Sequence, residues 1–222
     1  MARNLDGVSD YMQGSNVRNV PFTMAIWFNP NAVTATLTLC SLCTGGVSDQ
    51  SRFLLNCHGA LAGDPLRAST VNSSGTSSFA ATSTASVAGS WQHGCGVFGS
   101  ASSRAVYLNG GGKGTESTSR AISNSAVVIA GAQQTTSGVY TSQFDGLLAH
   151  FTIWNVALTD AEVALIAKPG FDSTRMRPNA IIGHWPLIGR VSPEIDIRGG
   201  ANLTLSGSPG AGDHPRFCQE LW

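Results

Sequence analysis

The sequence predicts an all-β protein, two antiparallel sheets packed face to face as a sandwich, with one short helix near residues 160–167. Three observations support this. Short apolar-rich runs bounded by turn residues recur from residue 21 to residue 207, the rhythm of sandwiches and barrels. Glycine reaches 26 of 222 residues, Ser and Thr crowd the first two-thirds, and Lys occurs only at 113 and 168, a composition that suits strands and tight turns better than helices. One segment alone stands out as helical. A chain of 222 residues buries enough surface to stand without disulfides, and no stretch is long enough to separate two domains. Residues 1–207 are therefore expected to form one domain, and residues 208–222 an extended or partner-docked tail rich in Pro and Gly.

Along the chain, PFTMAIWFNP (21–30) places Phe22, Met24, Ile26 and Phe28 on one face and Thr23, Ala25 and Trp27 on the other. Apolar groups on both faces mark an inner strand covered on two sides. Strand-like runs follow at 34–43, 51–57, 77–84, 90–98, 103–111, 125–131, 144–154, 179–188 and 201–207. In the Ser/Thr-rich stretch 69–90, Val71, Phe79 and Val87, with Trp91 beyond, argue for strands joined by polar loops rather than a linker. Asn109–Gly110 closes a hairpin, because these residues tolerate the positive φ of a type I′ turn at least cost. The glycine-rich stretch 110–114 that follows is expected to be a flexible tip.

Thr159 followed by Glu162 is a capping box: the hydroxyl accepts from an amide three residues on, and the carboxylate reaches back to the cap amide. Val163, Leu165 and Ile166 supply an apolar face, and Lys168–Pro169–Gly170 ends the helix. Trp27, Trp91, Trp154 and Trp185 are assigned to the core or its rim, where each buries a large area. His93, His150 and His184, beside them in alternating strands, are expected to be hydrogen-bonded structure.

Charge excludes several classes of partner. Lys and Arg number 13 against 13 Asp and Glu, and charged residues are 12% of the chain, so no electrostatic footprint exists for nucleic acid or an anionic membrane. The start, MARNLDGVSDYM, has one Arg and no apolar run of seven, so neither a secretory signal nor a transmembrane segment is expected, and synthesis in a cytoplasm is. The five cysteines, at 40, 43, 57, 95 and 218, are odd in number and sit mostly in apolar runs, where free Cys behaves as a small buried hydrophobe. A zinc site would need Cys40 and Cys43 to converge with Cys57–His58 or His93–Gly94–Cys95, but strand alternation sends Cys40 and Cys43 to opposite faces. No metal site is assigned. The chain also lacks a nucleophile elbow, an H-E-x-x-H helix, a phosphate loop and a dinucleotide fingerprint.

Several motifs occur in a fixed order: Leu5–Asp6–Gly7 with Asp10–Tyr11, the strand Phe22 to Phe28, Trp91–Gln92–His93, and Val106–Tyr107–Leu108–Asn109–Gly110. Then come Ile129–Ala130–Gly131, Phe144–Asp145–Gly146–Leu147, Trp154–Asn155, and Leu158–Thr159 with Glu162. This series closely resembles the laminin-G-like, concanavalin A-like jelly-roll domain, which implies two curved antiparallel sheets packed face to face. Many members of that superfamily hold calcium, which makes Asp6, Asp10, Asp145 and Asp196 donors to consider, since oxygen-rich loops suit that ion. Their spacing is not diagnostic, and no cofactor is assigned.

Glucan-cleaving jelly-roll enzymes carry Glu, apolar, Asp, apolar, Glu on the catalytic strand. Here Glu194–Ile195–Asp196–Ile197 match four of those positions before Arg198 breaks the match. A retaining glycosidase needs two carboxyl groups about 5–5.5 Å apart, and a guanidinium can neither attack nor donate as an acid. The other glutamates do not replace it: Glu116 lies in a Gly/Ser-rich loop, Glu162 is taken by the cap, and Glu220 is in the tail. The segment also follows the helix and contains Pro193, Gly199 and Gly200, the composition of a loop. No catalytic residue is assigned, and the expectation is a protein that is not an enzyme.

The closing segment holds His184–Trp185–Pro186–Leu187, Ser192–Pro193–Glu194 with Asp196, Gly199–Gly200, Leu203–Thr204–Leu205–Ser206–Gly207 and Asp213–His214–Pro215. This order resembles the close of laminin-G-like proteins encoded among the structural genes of tailed bacteriophages. The resemblance implies a non-enzymatic virion protein, foremost a capsid decoration or cement protein. Its partners would be the major capsid protein or other virion proteins, and it would form a homo-oligomer on the particle. Phe217, Leu221 and Trp222 are the candidate partner-binding anchor. The alternative is a carbohydrate-binding adhesin, whose site needs exposed aromatics beside polar side chains. Tyr11, Tyr140 and the amide side chains within 131–143 could supply these, and no individual ligand-binding residue is assigned.

Overall fold

The alternation in residues 21–30 builds a strand paired along both edges, and the sandwich is arranged around it. The computed structural model describes residues 1–46, 49–189, 192–198 and 200–215. In chain order the strands are β1 (Ala2–Asp6), β2 (Tyr11–Arg18), β3 (Phe22–Pro30), β4 (Thr36–Cys43), β5 (Arg52–His58), β6 (Pro65–Val71) and β7 (Ser77–Ala85). They continue as β8 (Gln92–Ser100), β9 (Ser103–Leu108), β10 (Gly111–Glu116), β11 (Ser125–Ala130), β12 (Gln133–Thr136), β13 (Val139–Thr141) and β14 (Asp145–Trp154). Helix α1 (Asp160–Ile166) then precedes β15 (Ile181–Trp185), β16 (Thr204–Ser206) and β17 (Gly210–Gly212).

Sheet A runs β10-β9-β8-β3-β14-β1-β17, with β15 also paired to β14, and sheet B runs β16-β2-β11-β4-β5-β6-β7. Strands β12 and β13 form a separate hairpin. The expected all-β jelly-roll sandwich with one short helix is the fold the chain adopts.

Between the sheets, Phe22, Met24, Ile26 and Phe28 of β3 share one buried cluster with Leu39, Leu42, Phe53 and Leu55 of sheet B. Phe22 stacks on Phe98 with ring centroids 4.7 Å apart and meets Phe53 edge-on at 4.8 Å, both arrangements that aromatic quadrupoles favour. On the opposite side of β3, Ala25 joins Cys95, Trp154, Leu158, Val163 and Ile166 in a second cluster beneath α1. The strand is covered on both sides, as its sequence requires. The capping box forms as expected, the Thr159 amide donating to Glu162 at 2.8 Å and the Glu162 amide to Thr159 at 3.4 Å. Trp27, Trp154 and Trp185 are buried, and Trp91 packs at the rim.

Several elements differ from the sequence expectation, each for a physical reason. Asn109 and Gly110 take φ of 53° and 73° between the paired residues Leu108 and Gly111, so the turn is as expected, but no flexible tip follows. The chain continues as β10, and a Cβ at Gly114 would run into the Ala81 carbonyl of β7. Glycine there lets this edge of sheet A close onto the edge of sheet B. Strand β6 escapes a hydrophobic-pattern reading because Pro65 opens it and polar residues crowd it. Strand β15 ends at Trp185, since Pro186 has no amide to donate to a ladder. Finally, pairing continues past residue 207: Gly210–Gly212 adds β17 to β1 through partners Ala2 to Asn4. The proposed anchor residues Phe217, Leu221 and Trp222 lie outside the described residues.

Candidate functional site

Within Glu194–Ile197 the two carboxylates point inward and the two isoleucines outward. Glu194 is 1% exposed, forms a buried ion pair with the Arg3 guanidinium, and accepts from the Gly189 amide at 3.2 Å. Arg3 also donates to the Pro209 carbonyl at 3.2 Å, so one cation ties β1 to the segments around residues 194 and 209. Asp196 accepts from the amides of His184 (3.0 Å), Arg198 (2.9 Å) and Gly200 (3.0 Å). Ile195 and Ile197, by contrast, are 48% and 56% exposed. Apart from one bridge between Glu194 and Leu203, Glu194–Ile197 belongs to no strand. Its two carboxylates are structural struts.

Other carboxylates considered from the sequence are also engaged, while Glu220 lies outside the described residues. Glu116 accepts from the Thr118 amide at 2.6 Å, and Glu162 serves the cap and Arg177. Asp6 and Asp145 stand opposite one another in register across β1 and β14, which invites comparison with a catalytic carboxyl pair. However, Asp6 Oδ1 accepts from the amides of Val8, Ser9 and Asp10, each at 2.9 Å. Those amides hold its carboxyl well below the usual carboxylate range, whereas such a pair requires one protonated acid. Asp145 accepts from the Asn31 amide group at 2.6 Å, and Asp10 from the Ser208 amide at 2.7 Å. Among the described residues, no three His, Cys, Asp or Glu side chains form a group that could hold a metal ion. Cys40 lies in the core against Met24, while Cys43 belongs to an outer cluster with Ile129 and Ala132. The C-x-x-C is split as alternation demands.

The outer side of sheet B is different. Leu55, Ala68 and Ala80 face the core, so alternation turns their neighbours outward. Thr38, Asn56 and Arg67 stand in register across β4, β5 and β6. The adjacent row holds Ser41, Leu54, Ser69 and Phe79. Asn56, Arg67 and Ser69 are only 4%, 8% and 2% exposed, yet Thr38 Oγ1, Asn56 Oδ1, Ser69 Oγ and Arg67 Nε have no hydrogen-bond partner. Buried polar atoms are almost always paired, and leaving one unpaired costs about 1–3 kcal/mol. Four such atoms share this one face, which makes it the candidate site. Arg67 lies over the ring of Phe79, its Cζ 3.4 Å from the centroid, and Phe79 remains partly open to solvent.

The β12–β13 hairpin borders this face. The Thr38 amide donates to the Ser142 carbonyl at 2.9 Å, and the Ser41 hydroxyl to the Ala132 carbonyl at 2.8 Å. Arg52 Nε donates to Gln133 Oε1 at 2.9 Å. The aromatics considered from sequence meet here: Tyr11 and Tyr140 stack at 4.1 Å, and Tyr140 donates to Gln13 at 2.6 Å. They hold the hairpin down at the margin, and Gln134 keeps an unpaired buried Oε1 beside them. Sequence reasoning did not reach Thr38, Asn56, Arg67 and Ser69, which form no motif and depend on β6. The available signal was an arginine among small polar residues in PLRASTV, with Phe79 on the next strand.

A family model described as the concanavalin A-like lectin/glucanases superfamily, Laminin_G_3, matches residues 6–164. The chain belongs to this family. The Laminin_G_3 match includes the whole of β2 to β14 and stops before β15, so the Arg3–Glu194 and Asp196 struts lie beyond it. No curated protein matches the chain. Among solved structures, the heptameric SAP-like pentraxin of Limulus polyphemus is similar at TM-score 0.63 and 18% identity, over 92% of this chain and 93% of that one. The CBM40 of the Ruminococcus gnavus IT-sialidase, bound to α2,3-sialyllactose, is similar at TM-score 0.56 and 15% identity, over 67% and 83%. Domain 4 of AbnA, a GH43 extracellular arabinanase from Geobacillus stearothermophilus, in complex with arabinotriose, is similar at TM-score 0.52 and 20% identity, over 75% and 71%. These likenesses show a shared fold.

Proposed function

We propose that this chain is a non-catalytic glycan-binding module whose ligand lies on the outer side of β4 to β7. The observation that carries this reading is the set of buried, unpaired polar atoms on Thr38, Asn56, Arg67 and Ser69 beside the partly exposed Phe79. Saccharides offer many hydroxyls and apolar ring faces, which such a mixture of hydrogen-bonding groups and one aromatic accommodates. Similar structures that hold sialyllactose and arabinotriose favour a sugar over other polar ligands. The absence of catalysis rests on Glu194 being neutralised by Arg3 and Asp6 being held ionised.

A glycan array probed with the labelled full chain tests this. Binding to a defined subset, weakened at least tenfold by Asn56→Ala with Thr38→Val, is the expected result. A blank array, or binding indifferent to those substitutions, contradicts it. Release of reducing ends from a bound glycan would contradict the non-catalytic part.

A second reading, a virion decoration protein made in a host cytoplasm, draws on the resemblance of the closing segment to phage proteins. Ile188, Ile195 and Ile197 in that segment are exposed, and exposed aliphatic groups suit a protein partner. Under this reading, deleting residues 217–222 abolishes binding to capsids while the domain stays folded. Unchanged occupancy on particles excludes the anchor.

A further inference from the structure

The glycan-binding reading leaves open what kind of saccharide fits, and Arg67 narrows it. Arg67 is 8% exposed, and the ion pairs among the described residues are Arg3–Glu194, Lys113–Asp160 and Arg177–Glu162. Arg67 belongs to none of them, and its Nε is buried with no hydrogen-bond partner among the described residues. An unpaired buried cation is a costly arrangement, which proteins normally avoid by pairing it or lining it with acceptors. Burial alone pushes the Arg67 guanidinium down to about 10, with no carboxylate opposing the shift.

The surroundings add to this. Phe79 backs the guanidinium from one side. The directly opposed residue on β5, Asn56, keeps an unpaired acceptor oxygen, about 5 Å away at Cβ in a paired register. Arg52 faces the same side about 13 Å further along, paired with Gln133 and Gln50 rather than with an acid. The face therefore presents two cations, acceptors for hydroxyls and no acidic side chain among the residues that form it.

We propose that the occupant of this face is an acidic saccharide, and that Arg67 receives its carboxylate edge-on through paired N–H donors while Asn56 and Ser69 engage neighbouring hydroxyls. Arginine suits this role because its planar fork matches a carboxylate bidentately. The inference rests on the glycan-binding reading and can fail without it.

Calorimetry of the full chain with tri-galacturonate and 3′-sialyllactose, against maltotriose and lactose, separates the two. The expected result is acidic saccharides binding at least tenfold tighter than neutral ones, with affinity falling as salt rises. Arg67→Gln and Arg67→Lys should remove most of that preference, and unchanged near-ultraviolet circular dichroism will establish that both variants remain folded. Equal affinity for neutral and acidic sugars, or an acidic preference that survives Arg67→Gln, overturns the proposal while leaving glycan binding intact. No binding to any saccharide here or on the array overturns both.

Discussion

Two regions of the molecule bury polar side chains, and they treat them in opposite ways. In the closing segment each buried carboxylate is matched from within the chain: Glu194 by Arg3 and the Gly189 amide, Asp196 by three backbone amides. On the outer side of β4 to β7, Thr38, Asn56, Arg67 and Ser69 are comparably buried but keep polar atoms with no partner. Burial of a polar residue is thus a poor guide to its role, and the state of its hydrogen bonds is a better one. The segment that most resembles a catalytic strand is paired from within the chain, and the unpaired groups of the proposed site stand on strands that carry no motif.

The largest effect that can separate these regions is on stability. Glu194→Ala removes one side of the buried Arg3–Glu194 pair, and breaking such a pair costs about 3–5 kcal/mol. Urea unfolding should show that loss, and a change below about 1 kcal/mol would mean that Glu194 is not a strut.

A smaller effect follows from pH. Burial lowers His93 and His150 from 6.5 to about 3 and His184 to about 4, while His184 shares a 2.8 Å hydrogen bond with Thr152. The folded state holds these rings neutral, whereas the unfolded chain takes up protons near 6.5. Between about pH 6.5 and 4 the unfolded state therefore binds more protons, so stability falls as pH is lowered through this window and is flat above pH 7. Urea midpoints measured from pH 7.5 to 4.5 should decline steadily from about 6.5, and a profile flat to pH 5 would contradict the assignment.

The smallest effect belongs to the other region. Asn56→Ala removes a side chain with an unpaired oxygen, so it should change stability by less than about 1 kcal/mol. A loss as large as that of Glu194→Ala would show that Asn56 is structural after all.

Much of the fold is legible in the sequence because burial imposes a period on it. The alternation of residues 21–30, the Asn109–Gly110 turn and the Thr159–Glu162 cap each appear in the structure as local chemistry requires. Elements whose cause is not local stay hidden. Strand β10 exists because glycines let it approach β7, and β17 because β1 offers it a free edge. The same holds for function. Arg198 and the Pro/Gly flanks set this segment apart from a catalytic strand, but the pairing of Glu194 with Arg3 spans 191 positions and is invisible in a linear reading. Thr38, Asn56 and Arg67 become neighbours only through the register of three strands.

The most direct test of the central claim, that the unpaired face of sheet B is where ligand binds, is to map backbone amide shifts in the isotopically labelled chain. The titrant would be the saccharide that binds most tightly on the array. The account predicts perturbations centred on residues 38–41, 54–56, 67–69 and 79, with α1 and the closing segment unchanged. Perturbations confined to residues 181–212 or to the helix, with sheet B silent, would contradict it.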